Sequence, residues 1–289
     1  MESGLRTFAH EEVLTSCDVC GGIELHTVDA RAHVMECASC GYRFVNPRPT
    51  QADIAAAYSD PRAYDHWLRE EEGRKLMWQK RLDLAERAAG GRRGRLLDVG
   101  AGIGTFLALA RERGWEVTGT EVSESGIRLA RKRHSLELIP GQLQEARLPA
   151  GSFEVVTLWH VLEHVPSPSS ALRTANSLLS PGGMIVVAVP NDARAMVLPR
   201  RLKRLLTRTT YERYEPVVPG QEVHLSHFRP DVLRRLLHRT GFEPARVTVD
   251  DQYPKPTSWT SGRVALTRAL ARTTGLNLGN SLLVTARRA

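Results

Sequence analysis

Apolar residues in this chain gather into short runs closed by turn signals, and the runs alternate with stretches of helical period. Leu96-Leu97 leads into Asp98-Val-Gly-Ala-Gly-Ile-Gly-Thr-Phe106, and Leu107-Ala-Leu-Ala-Arg111 follows. That order predicts a strand, a glycine-rich turn and a helix. Glu116-Val-Thr-Gly-Thr120 predicts a second strand, with Glu121 at its end. Phe153 to Trp159 reads as a buried strand, and Leu178 to Pro190 as a Pro-Gly-Gly turn followed by another. Residues 230–241 predict a helix with Pro230 in its first turn and Gly241 at its end. Ala245–Val249 and Ser281–Ala286 read as two further strands. Strands alternating with helices in this way give an α/β fold with a parallel sheet.

The glycine turn narrows the ligand. A dinucleotide turn has the pattern G-x-G-x-x-G; Gly100 and Gly102 fill its first two places, but Thr105 stands at the third. A Walker loop needs Gly-Lys-Ser/Thr, and the turn holds no lysine. Asp98, just before the turn, would repel a pyrophosphate and suits a cationic ammonium or sulfonium. Glycine lets the backbone approach a ligand closely, and the next helix aims its free N–H groups at the same spot. Glu121 lies at a strand's C-terminal edge, where ligands of open α/β sheets bind, and can accept hydrogen bonds from a ribose diol.

All four cysteines fall in the first 40 residues, as Cys17-Asp-Val-Cys20 and Cys37-Ala-Ser-Cys40. Two C-x2-C pairs sixteen residues apart read as a closed tetrahedral zinc site. Gly21-Gly22 and Gly41 allow the tight turns this needs, and Glu24 to Glu36 alternates as a hairpin would. Rubredoxin-like iron uses the same ligands and stays open. Disulfides are disfavoured in a reducing compartment, and a redox C-x2-C comes singly beside a βαβ unit. With no open coordination position the metal is structural, and it can contribute on the order of 10 kcal/mol to folding.

Composition adds little. Hydrophobic residues make up 42 % of 289 and charged ones 25 %, ordinary values for a globular chain. No apolar run reaches membrane-spanning length, and Met1–His10 lacks the apolar core of a signal peptide, so a cytoplasmic protein is expected. The net charge of +8 favours anionic partners, but the aromatics do not interleave with the basic residues, and nucleic acid is not the expected partner. Leu198, Leu202, Leu205 and Leu206 share one face of a basic helix. Such a helix can grip a phosphorylated, nucleotide-linked or lipid-linked acceptor, touch a membrane surface peripherally, or simply present a solvated face.

Leu97-Asp-Val-Gly-Ala-Gly-Ile-Gly104 resembles motif I of the class I S-adenosylmethionine (SAM)-dependent methyltransferases. Val161-Leu-Glu-His-Val165, Leu178-Leu-Ser-Pro-Gly-Gly183 and Val189-Pro-Asn191 follow in the order of the small-molecule, UbiG-like branch. The resemblance covers roughly residues 75 to 250. It implies a Rossmann-like seven-stranded sheet, its last strand antiparallel, with SAM held by Asp98, Gly100, Gly102, Gly104, Glu121, Gln142, Leu143 and His160. Gln142 departs from the pattern, since relatives carry an acidic residue there. A zinc ribbon ahead of this core resembles the sugar C-methyltransferases with an N-terminal zinc-binding domain. That likeness implies a ribbon over residues 1–50, a helical linker or lid over 51–92 bearing Tyr58 and Tyr64, and a methyltransferase domain over 93–289 with a cap inserted at about 192–228.

In those enzymes the histidine before Leu-Ser faces the acceptor as a base. Here the segment is Gln221-Glu-Val-His-Leu-Ser-His-Phe228, which points to His224, with Glu222 beside it. The expected reaction is methyl transfer to oxygen or carbon of a small molecule, such as a sugar, natural-product or cell-envelope intermediate. Two alternatives are a zinc-ribbon rRNA methyltransferase and a non-catalytic SAM-fold binding protein. The first lacks the Asn/Asp-Pro-Pro-Tyr/Phe motif of base N-methylases, and the second does not explain an intact Asp98, three glycines and Glu121.

Overall fold

The computed structural model describes residues 8, 11–58, 64–193, 214–219, 221–243, 247–250, 258–274 and 277–289. The basic helix expected at 198–206 lies outside them. Three strands near the start, β2 (Leu25–Asp29), β3 (Val34–Cys37) and β4 (Arg43–Val45), form the hairpin and return of the cysteine module. Two residues at Glu11–Glu12 (β1) pair with Arg48–Pro49 (β5). Helices α1 (Gln51–Tyr58), α2 (Asp65–Arg69) and α3 (Glu71–Ala88) then lead to the central sheet.

The first half of that sheet is β6 (Arg95–Val99), α4 (Thr105–Glu112), β7 (Glu116–Glu121), α5 (Glu124–His134) and β8 (Ile139–Pro140). The second is β9 (Phe153–Trp159), α6 (Pro168–Leu178) and β10 (Leu179–Pro190). After a short β11 (Ser226–His227) come α7 (Pro230–Arg239), β12 (Phe242–Glu243), β13 (Val247–Val249), α8 (Ser258–Thr274) and β14 (Ser281–Arg288). The order across the sheet is β12-β14-β10-β9-β6-β7-β8, with β13 on the same strand β14. Strands β10, β9, β6, β7 and β8 run parallel, and β14 is antiparallel to β10, as expected for Ser281 onward. Strands β12 and β13 pair with successive stretches of β14, so together they fill the seventh place of the expected sheet.

The apolar runs are continuous because both faces of these strands are covered. In β10, Ile185, Val187 and Val189 pack towards α6, α7 and the cysteine module. Val186 and Ala188, pointing the other way, pack towards α3 and α4. Helix ends follow the sequence: Ser123 Oγ accepts from Gly126 N–H at the start of α5, and Ser167 Oγ from Ser170 N–H at the start of α6.

One feature lay beyond the sequence pattern. The sheet of the cysteine module runs β11-β4-β3-β2, so its fourth strand comes from residues 226 and 227. Ser226 registers with Phe44 and His227 with Arg43. Cys17, Cys37, Cys40, Tyr42 and Phe44 share one apolar cluster with Phe228, Val232 and the β9–β10 face.

Candidate functional site

Strand β6 ends at Asp98 and Val99, and the chain turns over the C-terminal edge of the sheet. Gly100, Gly102 and Gly104 all have positive φ, at 68°, 57° and 78°, a region that favours glycine. A Cβ on Gly100 would meet Val161, and one on Gly102 would meet Trp67. The glycines therefore set a turn closely faced by other chain segments. Gly104 opens α4 without a side-chain cap, leaving its first N–H groups at the turn.

Glu121 ends β7, the neighbouring strand. Its carboxylate accepts from Gly102 N–H at 2.6 Å and Ser123 N–H at 2.8 Å. Burial raises its pKa and the backbone N–H groups oppose the rise. Asp98 is buried beneath the turn, where Thr157 Oγ donates to it at 2.6 Å. Burial pushes Asp98 up to about 7, against the Thr157 bond. Beside them a cleft opens along the sheet edge, walled by Gly100, Glu121, Gln142, Leu143, Val161, Tyr58 and His164. Gln142 turns its backbone N–H to Glu145. The cleft thus brings together four of the eight expected donor-side residues, Gly100, Glu121, Gln142 and Leu143; Asp98, Gly102 and Gly104 belong to the strand end and turn beside it and do not line it. A buried carboxylate, a left-handed glycine turn and a second carboxylate at the next strand end fit a cationic, ribose-bearing ligand such as SAM.

The other end of the cleft carries histidines. Tyr58, at the end of α1, sets its hydroxyl 2.8 Å from His164 Nδ1 and accepts from Val223 N–H at 3.1 Å. His164 Nδ1 also lies 2.7 Å from the Val223 carbonyl, which can only accept. Nδ1 therefore carries the proton, and Nε2 faces Glu163 Oε1 at 3.7 Å. Burial lowers the pKa of His164. The His224 ring lies 4.8 Å from the His164 ring, with Nε2 3.7 Å from Glu222 Oε2. Burial would lower the pKa of His224, but Glu222 and Glu163 outweigh it and raise the value. Glu222 and His224 thus lie side by side, and the His224 ring packs on His164 of the cleft wall.

His160 lies off that wall. It follows β9 directly, with φ at 56°, and its ring sits between Glu163 Oε1 (3.3 Å) and Asp250 Oδ2 (3.5 Å). Those carboxylates outweigh burial and push its pKa up to about 9. Asp250 in turn is bonded at 2.7 Å by Arg81, which lies between the Trp78 and Trp159 rings. Glu163 is 1 % exposed and neither carboxylate oxygen has a hydrogen bond. Sequence reasoning assigned no role to Glu163, Asp250 or Arg81. Glu163 lies within the Val161-Leu-Glu-His-Val165 motif.

At the cysteine module, Cys17 and Cys40 Sγ lie 3.5 Å apart, as do Cys20 and Cys37 Sγ. All four sulfurs fall within 4.8 Å of one another. A disulfide requires about 2.05 Å. A tetrahedral zinc with Zn–S near 2.3 Å gives S···S of about 3.8 Å, which these spacings approach. Burial raises the thiol pKa of Cys17, and that of Cys40 to about 11, so ionising them calls for a cation. The donor set fits a structural zinc.

Comparison with known proteins points one way. A family described as a methyltransferase domain matches residues 64–247. The ubiquinone biosynthesis O-methyltransferase of Ralstonia nicotianae is 30 % identical over 230 residues, spanning 75 % of this chain and 86 % of the relative. The enzyme of the same description from Bordetella avium is 31 % identical over 180 residues, spanning 57 % and 69 %. Two solved structures share the fold. One is the 1,6-didemethyltoxoflavin-N1-methyltransferase of Burkholderia thailandensis with S-adenosylhomocysteine, at TM-score 0.55 and 18 % identity, covering 92 % of this chain and 99 % of that one. The other is the magnesium protoporphyrin IX methyltransferase of Synechocystis with the same product bound, at 0.56 and 15 %, covering 83 % and 100 %.

Proposed function

This chain belongs to the SAM-dependent methyltransferase family, and from that premise we propose that it methylates a hydroxyl oxygen of a small molecule. Bound SAM supplies a methyl group already activated on a sulfonium, so the protein's task is to hold the donor, align the acceptor and take a proton. Asp98, the turn from Gly100 to Gly104, Glu121, Gln142 and Leu143 hold the donor. His224, polarised by Glu222, takes the hydroxyl proton from the acceptor. His164, fixed with its proton on Nδ1, orders the wall between them. His160, held between Glu163 and the Asp250 that Arg81 binds, links those two carboxylates instead of touching the donor.

The observation that carries this reading is the Glu222–His224 pair set 4.8 Å from a histidine of the cleft wall. A general base with a raised pKa next to a donor cleft serves an oxygen acceptor, which must lose a proton. The relatives described as O-methyltransferases support the same choice. The test is S-adenosylhomocysteine release from SAM across a panel of hydroxylated aromatics and sugars, with the product located by mass spectrometry and NMR. Methylation at oxygen that requires His224 supports the proposal. Methyl transfer to RNA alone, or to no acceptor despite SAM binding, overturns it.

A further inference from the structure

We propose that the cysteine module is built into the acceptor site, with Tyr42 and Arg43 as positioning residues for the loop that carries Glu222 and His224. The inference rests on reading that loop as the acceptor side. Its basis is where the module's bonds end. A strand of two residues has no stability by itself, and β11 exists because β4 offers it an edge. Leu225, next to His224, is pinned from both sides. Its carbonyl accepts from Val45 N–H at 2.9 Å, and its N–H donates to the Glu163 carbonyl at 2.8 Å. The loop is therefore clamped between the cysteine module and the segment after β9.

Two side chains of β4 and its approach complete the clamp. Tyr42, two residues past Cys40, is buried between Phe44 and Phe228, and its hydroxyl lies 2.6 Å from Ser226 Oγ. Arg43 donates from Nε to Glu36 at 2.5 Å. From Nη1 it reaches Asp192 at 2.8 Å and the Tyr214 hydroxyl at 3.1 Å. Asp192 opens the expected cap insertion and Tyr214 lies on its return, with its ring 4.5 Å from His227. One guanidinium thus ties both stems of the insertion to the cysteine hairpin. The planar fork makes this possible; an ammonium cannot reach in two fixed directions at once.

Further hydrogen bonds of the module reach the start of α6 and the face of α7. Asp18, inside the first C-x2-C, accepts from Ser167 Oγ and from Ser169 N–H at the start of α6. Arg235 donates to the Cys40 carbonyl. None of these bonds goes to the glycine turn or Glu121. The module's hydrogen bonds couple the metal centre directly to the acceptor loop, whereas its tie to the donor side is the shared apolar packing with Leu97, Val99 and Leu143.

The test compares the metal-loaded full chain with Tyr42→Phe and Arg43→Lys. Cobalt(II) substitution reports whether the four-thiolate site is intact, and calorimetry reports S-adenosylhomocysteine affinity. Amide exchange over residues 221–228 and the NMR ring signals of His224 report the loop. Expected are an unchanged cobalt spectrum and unchanged affinity, about tenfold faster exchange over 221–228, and shifted His224 signals beside unmoved His134 signals. Protected amides and an unmoved His224 ring in both variants overturn the proposal. So does loss of product affinity in step with the loop, which marks the module as a general stabiliser. Failure of the parent protein to bind S-adenosylhomocysteine refutes the donor reading instead, and the two failures are distinguishable.

Discussion

Glu121 accepts a hydrogen bond from the backbone N–H of Gly102 at 2.6 Å, so the acid that ends one strand holds the glycine turn that follows its neighbour. The glycine turn and the end of β7, the two elements proposed to hold the donor, are thereby joined. Glu121→Ala removes the acceptor for two buried N–H groups at once. A charge-assisted bond of this kind is worth about 1.5–3 kcal/mol; if disorder of the turn costs the ligand the equivalent of one such bond, S-adenosylhomocysteine affinity falls by about 10- to 100-fold. Calorimetry measures it, and undiminished affinity would remove Glu121 from the donor site.

Asp98 carries the second prediction. Its pKa is raised by burial from the ordinary 3.8 to about 7. The folded state therefore binds this proton more tightly than the unfolded one between those values, and the ligand-free protein loses stability as pH rises from about 4 to about 7. Asp98→Asn cancels that slope. Its unfolding temperature should exceed the parent's by more at pH 8 than at pH 5, while its affinity for SAM drops. An identical pH dependence in parent and variant contradicts the assignment.

The base makes its own pH signature. His224 must be neutral to take a proton, and its pKa lies above the ordinary 6.5 because of Glu222 and Glu163. Turnover should rise with pH through a midpoint above 6.5. Glu222→Gln removes the nearer carboxylate and should move that midpoint down. His224→Ala should lower turnover by about 10²-fold with donor affinity intact. Rates that ignore all three changes would take this histidine out of the chemistry.

Metal analysis gives a fourth check. The preparation should hold one zinc per chain, and Cys17→Ser or Cys40→Ser should abolish it with a large loss of stability. Full metal content in either variant would disprove the four-thiolate site.

Much of this was legible in the sequence because it is local. The glycine turn, the continuous apolar strands and the paired cysteines each declare themselves within about ten residues. The cleft residues Glu121, Gln142 and Leu143 follow once strand order is known. What stayed hidden is tertiary. Arg81 lies in an amphipathic helix like any other arginine, and its partner Asp250 is 169 positions away. His160 reads as a cleft residue from its place after β9, but it does not line the cleft, and its ring lies between two carboxylates. Strand β11 is two residues long, too short for any period, and only its pairing with β4 reveals it.

That pairing bears on how such proteins diversify. Strands within residues 25–45 and the strand at 226–227 belong to one small sheet although five strands of the central sheet, β6 to β10, lie between them in the chain. A graft of the cysteine hairpin from a cousin, without the matching stretch around Tyr214 to Phe228, leaves an orphaned edge and an Arg43 without its Tyr214 partner. Exchange of substrate preference by recombination is therefore expected to move both stretches together, as one heritable block.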